Sequence, residues 1–177
     1  MQLETERLIL RPWRVSDAES LYKYASDPEV GPRAGWDPHK SVEESRTMIE
    51  TFFNTDYFWA VELKETSEAI GCIGYLPPEI SNIPIADNDA EVGYWIARPY
   101  WNRGLCTEAL AKMVDYCFRE KNFDTLWGDY FTDNPASCKV MLHCGFHDCN
   151  RETHCPNLQS GADKTVRVMQ LSKVKNN

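Results

Sequence analysis

Between Glu91 and Arg119 the chain changes its period. EVGYWIA (Glu91 to Ala97) mixes β-branched and aromatic residues and reads as a strand that stops near Pro99. After RPYWNRG, residues Leu105, Cys106, Ala109, Leu110, Met113, Val114 and Cys117 recur at helical spacing. Glu108, Lys112, Asp115 and Arg119 fall on the opposite side as two i,i+4 charge pairs. A strand therefore feeds an amphipathic helix through a Gly-containing turn. The first N–H groups of a helix lack backbone partners and carry the positive end of its dipole, so such a turn is a natural anion site.

The elements on either side extend the pattern. Leu3 to Trp13 reads as a first strand, with Ser16-Asp17 capping a helix to about Ala25. The loop GPRAGWDPHK (Gly31 to Lys40) precedes a capped helix from Ser41 to about Phe53. YFWAVEL and AIGCIGYL pair as a hairpin across KETSE, and an acidic, Pro-containing loop from Pro77 to Asp89 leads to the strand above. FDTLWGDYF is another strand. In NPASCKVMLHCGF, Asn134 stands at an N-cap, Pro135 at the first helical position and Gly145 where the helix stops. Segments near Phe146 to Thr153 and Thr165 to Lys173 read as closing strands. The order β-α-α-β-β-β-α-β-α-β-β predicts an α/β (α+β) protein whose mixed, mostly antiparallel sheet has about seven strands and about four helices.

The 177 residues suit one domain, 1–177. The first ten residues lack a basic-then-apolar signal, and no apolar run approaches the ~20 residues of a membrane span, so a soluble cytoplasmic protein is expected. A formal charge of −8 disfavours nucleic-acid and anionic-membrane binding and suits a cationic substrate, although on charge alone a solvated surface is the favoured explanation. Seven cysteines are read as reduced thiols, with Cys72, Cys106 and Cys117 on core faces. Cys138 to Cys155 holds four of them and three of the four histidines. Zinc ligands can come from such a set, but no C-x-x-C pair is present, and a helix followed by a strand scatters the side chains, His143 and His147 included. No metal is expected. G-x-x-x-x-G-K-[ST] and G-x-G-x-x-G are also absent, which sets aside nucleoside triphosphates and dinucleotides.

TERLILRPW, GYWIARPYWNRGLCTEAL and NPASCKVMLHCGF, in that order, resemble the GNAT superfamily of acyl-CoA-dependent N-acetyltransferases, and within it the ribosomal-protein alanine N-acetyltransferases of the RimJ/RimL type. The resemblance covers nearly the whole chain and implies the GNAT sheet, twisted and flanked by helices. Trp101-Asn102-Arg103-Gly104-Leu105-Cys106 then corresponds to the pyrophosphate loop Q/R-x-x-G-x-G/A, with Cys106 in place of a small Gly or Ala. Backbone N–H groups from Arg103 through Gly104, Leu105 and Cys106 to Thr107 would face the diphosphate of acetyl-CoA, the acyl donor, and the Arg103 side chain would add charge. An ordinary helix start with a Gly is the bland alternative. The resemblance further implies that Ile96 and Arg98 offer backbone groups to the pantetheine arm, that an N–H near Ile96 polarises the thioester carbonyl, and that Asn134 and Ser137 contact the cofactor. The alternative role for Asn134 is that of a helix cap alone.

Acetyl transfer needs a neutral amine and therefore a proton acceptor. Glu91 at the strand start is the expected base, with Asp89 in reserve. Relatives carry a tyrosine acid four residues before the glycine of G-F; here that residue is Met141, leaving Ser137 and Tyr130 as candidates. The Gly31-to-Lys40 loop, with Trp36, and the Leu158-to-Asp163 loop are where relatives build the acceptor pocket. The implied acceptor is an amine, either a protein N-terminus or a small molecule such as a polyamine or an antibiotic, used by a monomer or homodimer. A non-catalytic acyl-CoA-binding module and a zinc-held interaction domain are the competing classes.

Overall fold

The computed structural model describes residues 1–156 and 163–174. Its strands are β1 (Leu3–Glu4), β2 (Leu8–Pro12), β3 (Phe58–Leu63), β4 (Glu68–Leu76), β5 (Asp89–Ile96), β6 (Thr125–Phe131), β7 (His147–Pro156) and β8 (Asp163–Ser172). They form one sheet in the order β1-β2-β3-β4-β5-β6-β8-β7. The helices are α1 (Ala18–Ala25), α2 (Gly31–Ala34), α3 (Val42–Glu50), α4 (Leu105–Arg119) and α5 (Pro135–His143). The α/β class and the mixed, mostly antiparallel sheet agree with the sequence reading, with eight strands and five helices where about seven and four were expected. The extra strand arises because Leu3 to Trp13 folds back on itself at Thr5, whose N–H and hydroxyl both bond Leu8. The extra helix is the single turn α2 inside the predicted loop.

Among the described residues only β5 and β6 pair in parallel, and only from Asp89–Glu91 to Thr125–Trp127. Beyond those pairs β5 stays with β4 as far as Ile96, and β6 stays with β8 as far as Phe131. The two strands thus splay, leaving the facing edges of Val92–Ile96 and Gly128–Phe131 without a sheet partner. The register fixes what β5 presents there. Ala97 N–H donates to Ile70 O at 2.8 Å and Tyr75 N–H turns away to Tyr57 O, so Gly71/Ile96 and Tyr75/Val92 are non-hydrogen-bonded pairs. The N–H groups of Val92, Tyr94 and Ile96 therefore point into the gap.

Alternation along β5 and β6 gives the gap two unlike faces. Val92, Tyr94 and Gly128 face α5: a Cβ on Gly128 would lie 2.8 Å from Met141 Sδ, and Tyr94 bonds Ser137. The larger core lies on this side, with Leu105, Leu110 and Met113 of α4 against Val61, Ile73 and Leu126. Trp95 and Phe131 face the other way, where Trp13, Leu21, Ile49 and Phe53 cover Ala60, Ala69 and Cys72.

One capping expectation and one charge pair differ. Ser41 caps α3 as read, accepting from Glu44 N–H at 3.0 Å. Asp17 caps nothing at α1, because its carboxylate takes both Nη groups of the buried Arg11 at 2.7 and 2.9 Å, while Arg11 Nε reaches Glu62 at 2.5 Å. Glu108 likewise does not pair with Lys112. Thr5 Oγ1 and Arg7 N and Nε, brought across from the amino-terminal turn, occupy it at 2.5 to 2.9 Å. Asp115 and Arg119 do pair, at 2.5 Å. Gly145 ends α5 at φ +89°, as its position predicted.

Candidate active site

The turn into α4 is built for an anion. Asn102 (φ +59°) and Gly104 (φ +74°) both take the left-handed conformation, which turns successive N–H groups to one side. Leu105, Cys106 and Thr107 are the first three helical residues, so their N–H groups have no carbonyl four residues back within the helix. Arg7 Nη1 donates to Arg103 O at 2.9 Å and clamps the turn from behind, while the Arg103 guanidinium lies 5.6 Å over the Tyr100 ring. Arg7 also neutralises Glu108, the carboxylate in the first turn of α4 that would otherwise repel an anion. Trp101 Nε1 donates to Ile96 O at 2.6 Å and fixes the turn to the end of β5. Of the Ile96 backbone groups, the N–H is left to the gap.

Arg98 lies past β5 in a 3-10 turn, where its carbonyl accepts from Trp101 N–H and its side chain pairs with Asp27 at 2.7 Å. It is therefore not on the splayed edge, because the chain must turn there to reach α4. Cys106 packs beside Cys144 and Tyr94, and burial raises its thiol above the ordinary cysteine range. Cys144 Sγ in turn donates to Thr107 O at 3.5 Å. Asn134 stands at the N-cap of α5 without capping it; its Nδ2 donates to Arg33 O at 3.2 Å. Ser137 Oγ lies 3.0 Å from Tyr94 Oη, and Met141 is fully buried.

The carboxylates occupy the opposite face. Glu91, 2 % exposed, accepts from Ser81 Oγ (2.8 Å), Asn82 N (2.6 Å) and Asn82 Nδ2 (3.2 Å), all from the acidic loop. Asp89 accepts Trp127 Nε1 at 2.8 Å, which holds it at the paired end of the two strands. The carboxylate of Asp129, two residues past the last parallel pair, has no hydrogen bond among the described residues. Burial and the neighbouring Glu91 charge raise its carboxyl to about 7. Sequence reading passed over Asp129, although a lone carboxylate inside TLWGDYF was a usable signal, because an apolar strand seldom holds an unpaired acid.

Aromatic rings close the same face. Trp36 meets Trp95 edge-on at 5.5 Å, and Gly35 lies against the Phe131 ring. The segment around α2 is tied to both banks of the gap. Arg33 lies 5.5 Å over Trp101, Lys164 Nζ reaches Pro32 O at 3.2 Å, and Asn134 holds Arg33 O. The Leu158-to-Asp163 loop expected to share this pocket lies outside the described residues, apart from the backbone of Asp163 in β8. Among the described residues no three His, Cys, Asp or Glu side chains converge to hold a metal, and no helix is long and apolar enough to cross a membrane.

A sheet splayed beside a helix start with unpaired N–H groups, with a carboxylate pair on one face of the opening, is the arrangement expected of an acyl-CoA-dependent acetyltransferase. The chain belongs to the GNAT acetyltransferases: the model of the Acetyltransferase (GNAT) domain matches residues 7–147. It is 34% identical over 149 residues to the uncharacterized N-acetyltransferase YoaA of Bacillus subtilis, covering 81% of each chain. In structure it is similar to a GNAT-family acetyltransferase from Bacillus anthracis (TM-score 0.82, 19% identity, 97% of this chain and 98% of that one). It is also similar to a putative ribosomal-protein-serine acetyltransferase from Vibrio cholerae (TM-score 0.78, 24% identity, 98% of each). The protein is an acetyltransferase that uses acetyl-CoA.

Proposed function

We propose that the chain acetylates a cationic primary amine by direct attack on the acetyl-CoA thioester, and that its acceptor is a protein N-terminus, as in the ribosomal-protein branch. The observation that carries this reading is the carboxylate pair Glu91 and Asp129 on a face walled by Trp36, Trp95 and Phe131. Negative charge and aromatic faces together suit an ammonium group arriving from solvent. Leu105, Cys106 and Thr107 N–H, with Arg103 and Gly104, would hold the diphosphate. Ile96 N–H points to where a thioester carbonyl would lie between the strands and would stabilise the oxyanion.

Proton removal falls to the carboxylate pair. The Glu91 carboxylate is already held by three donors, and its charge also acts on the neighbouring Asp129. Asp129 has no such commitment, and its raised pKa suits exchange of a proton near neutrality. Asp129 is thus the group that meets the amine, and Glu91 holds it poised.

A thiol-release assay with acetyl-CoA, screening ribosomal-protein N-terminal peptides, polyamines and aminoglycosides, tests the reading. Turnover on a peptide N-terminus, slowed in Glu91→Gln, is expected. Turnover on polyamines or aminoglycosides alone would transfer the acceptor to small molecules. Acetyl-CoA binding without turnover on any amine would leave a binding module.

Gly104→Ala should separate cofactor binding from catalysis. An alanine at φ +74° costs about 1–2 kcal/mol, and relieving that strain distorts the turn. Calorimetry should show acetyl-CoA affinity reduced about tenfold, equivalent to about 1.4 kcal/mol. An unchanged affinity would remove the turn from the site.

A further inference from the structure

We propose that Tyr94 is the acid that protonates the departing thiolate. This rests on the acetyl-transfer reading above, and it assigns the role that the sequence left between Ser137 and Tyr130.

The gap between β5 and β6 separates two proton tasks. On the Trp36 face stand Glu91 and Asp129, which can only receive a proton once ionised. On the α5 face stands Tyr94, whose Oη lies 3.0 Å from both the carbonyl and the hydroxyl of Ser137. It is thus a phenol carried by the splayed strand itself and reaching the first turn of α5. Met141, one turn further along that helix, supplies only a thioether packed against Gly128. Tyr130 stands on the other strand beside Cys138 and Arg167.

The surroundings of Tyr94 keep it neutral. Its neighbours are the thiols of Cys106, Cys138 and Cys144, and burial raises the phenol well above its ordinary range, which the hydrogen bond with Ser137 partly offsets. A phenol is a better match for a thiol than an aliphatic hydroxyl is, since their ordinary pKa values are about 10 and about 8.5.

The step balances as follows. The ammonium first passes one proton through Asp129 to solvent; the neutral amine nitrogen then bonds to the carbonyl carbon and the C–S bond breaks. Sulfur keeps that electron pair and takes the proton of Tyr94 Oη, while the surplus amine proton goes to Asp129. The Ser137 hydroxyl donates to the phenolate until solvent returns its proton, and Asp129 releases one to solvent.

Tyr94→Phe and Ser137→Ala are the test variants, read by kinetics and by calorimetry with CoA and desulfo-CoA at mildly alkaline pH, where the free thiol is partly ionised. Tyr94→Phe is expected to lower kcat about 100-fold, the scale of a lost general acid, with acetyl-CoA affinity held within about twofold. Wild type should bind CoA more tightly than desulfo-CoA, because a phenol donates to the thiolate. Tyr94→Phe should lose that preference and keep its desulfo-CoA affinity, which also reports an intact site. Wild-type kcat and an undiminished preference for CoA in Tyr94→Phe would overturn the assignment. So would a Ser137→Ala variant that alone loses both. If wild type acetylates no amine, the acceptor reading fails by itself, and the calorimetric comparison still decides the role of Tyr94.

Discussion

Asp129→Asn is expected to lower kcat by about 100- to 1000-fold with little change in acetyl-CoA affinity, because it deletes a proton acceptor and leaves the diphosphate turn untouched. The pH profile should carry the same signature. Asp129 titrates at about 7, so the wild-type rate should rise with pH through that region and level off above it. Glu91→Gln removes the charge that helps raise Asp129 and should move that midpoint to lower pH.

Stability should move the opposite way. The folded chain holds the Asp129 proton more tightly than the unfolded chain, whose carboxyl keeps its ordinary value of 3.8. Stability therefore falls as pH rises from that value to about 7, and the whole cost is present above it. Asn cannot ionise, so Asp129→Asn should melt above wild type at alkaline pH, with the gain fading in acid. A variant with wild-type kcat and an unaltered acid limb would remove Asp129 from the mechanism.

Arg11→Met should be the most destabilising of these changes, by about 3–5 kcal/mol in urea unfolding, with the slope of the transition preserved. Methionine retains much of the buried volume, so the loss reports charge. Asp17 and Glu62 would be left facing each other inside the protein, where Arg11 now binds both. Adding Asp17→Asn and Glu62→Gln to Arg11→Met should recover part of the loss. A single variant within 1 kcal/mol of wild type, a shift of roughly 2–4 °C for a chain this size, would show that water reaches the cluster.

The turn into α4 was legible because its parts are adjacent in sequence. Strand, turn, Gly104 and amphipathic helix follow one another, and local propensity and the helix dipole suffice to read them. The same holds for Ser41 with Glu44 and for Gly145 at the end of α5. What escaped were side chains claimed by distant partners. Asp17 and Asn134 sit at cap positions, yet Arg11 takes one and Arg33 O holds the other. Glu108 has a lysine one turn ahead, yet a residue 101 positions earlier binds it. For Asp17 and Glu108 a charge-assisted partner outweighs the local contact, whereas Asn134 is drawn to a carbonyl that the Gly31–Ala34 turn brings beside it.

By itself, then, the sequence determined the elements, their order and the kind of reaction, and it marked the turn into α4 as the expected diphosphate site. These depend on the period of apolar residues and on backbone groups that each helix start leaves unpaired. Only the tertiary structure decided which proton-carrying groups meet. Glu91 and Asp129 share one face because β5 and β6 run parallel for three residue pairs and then part. Tyr94 meets Ser137 because strand alternation turns it toward α5. Those placements follow from the register of strands far apart in the chain, which the local pattern of residues does not encode.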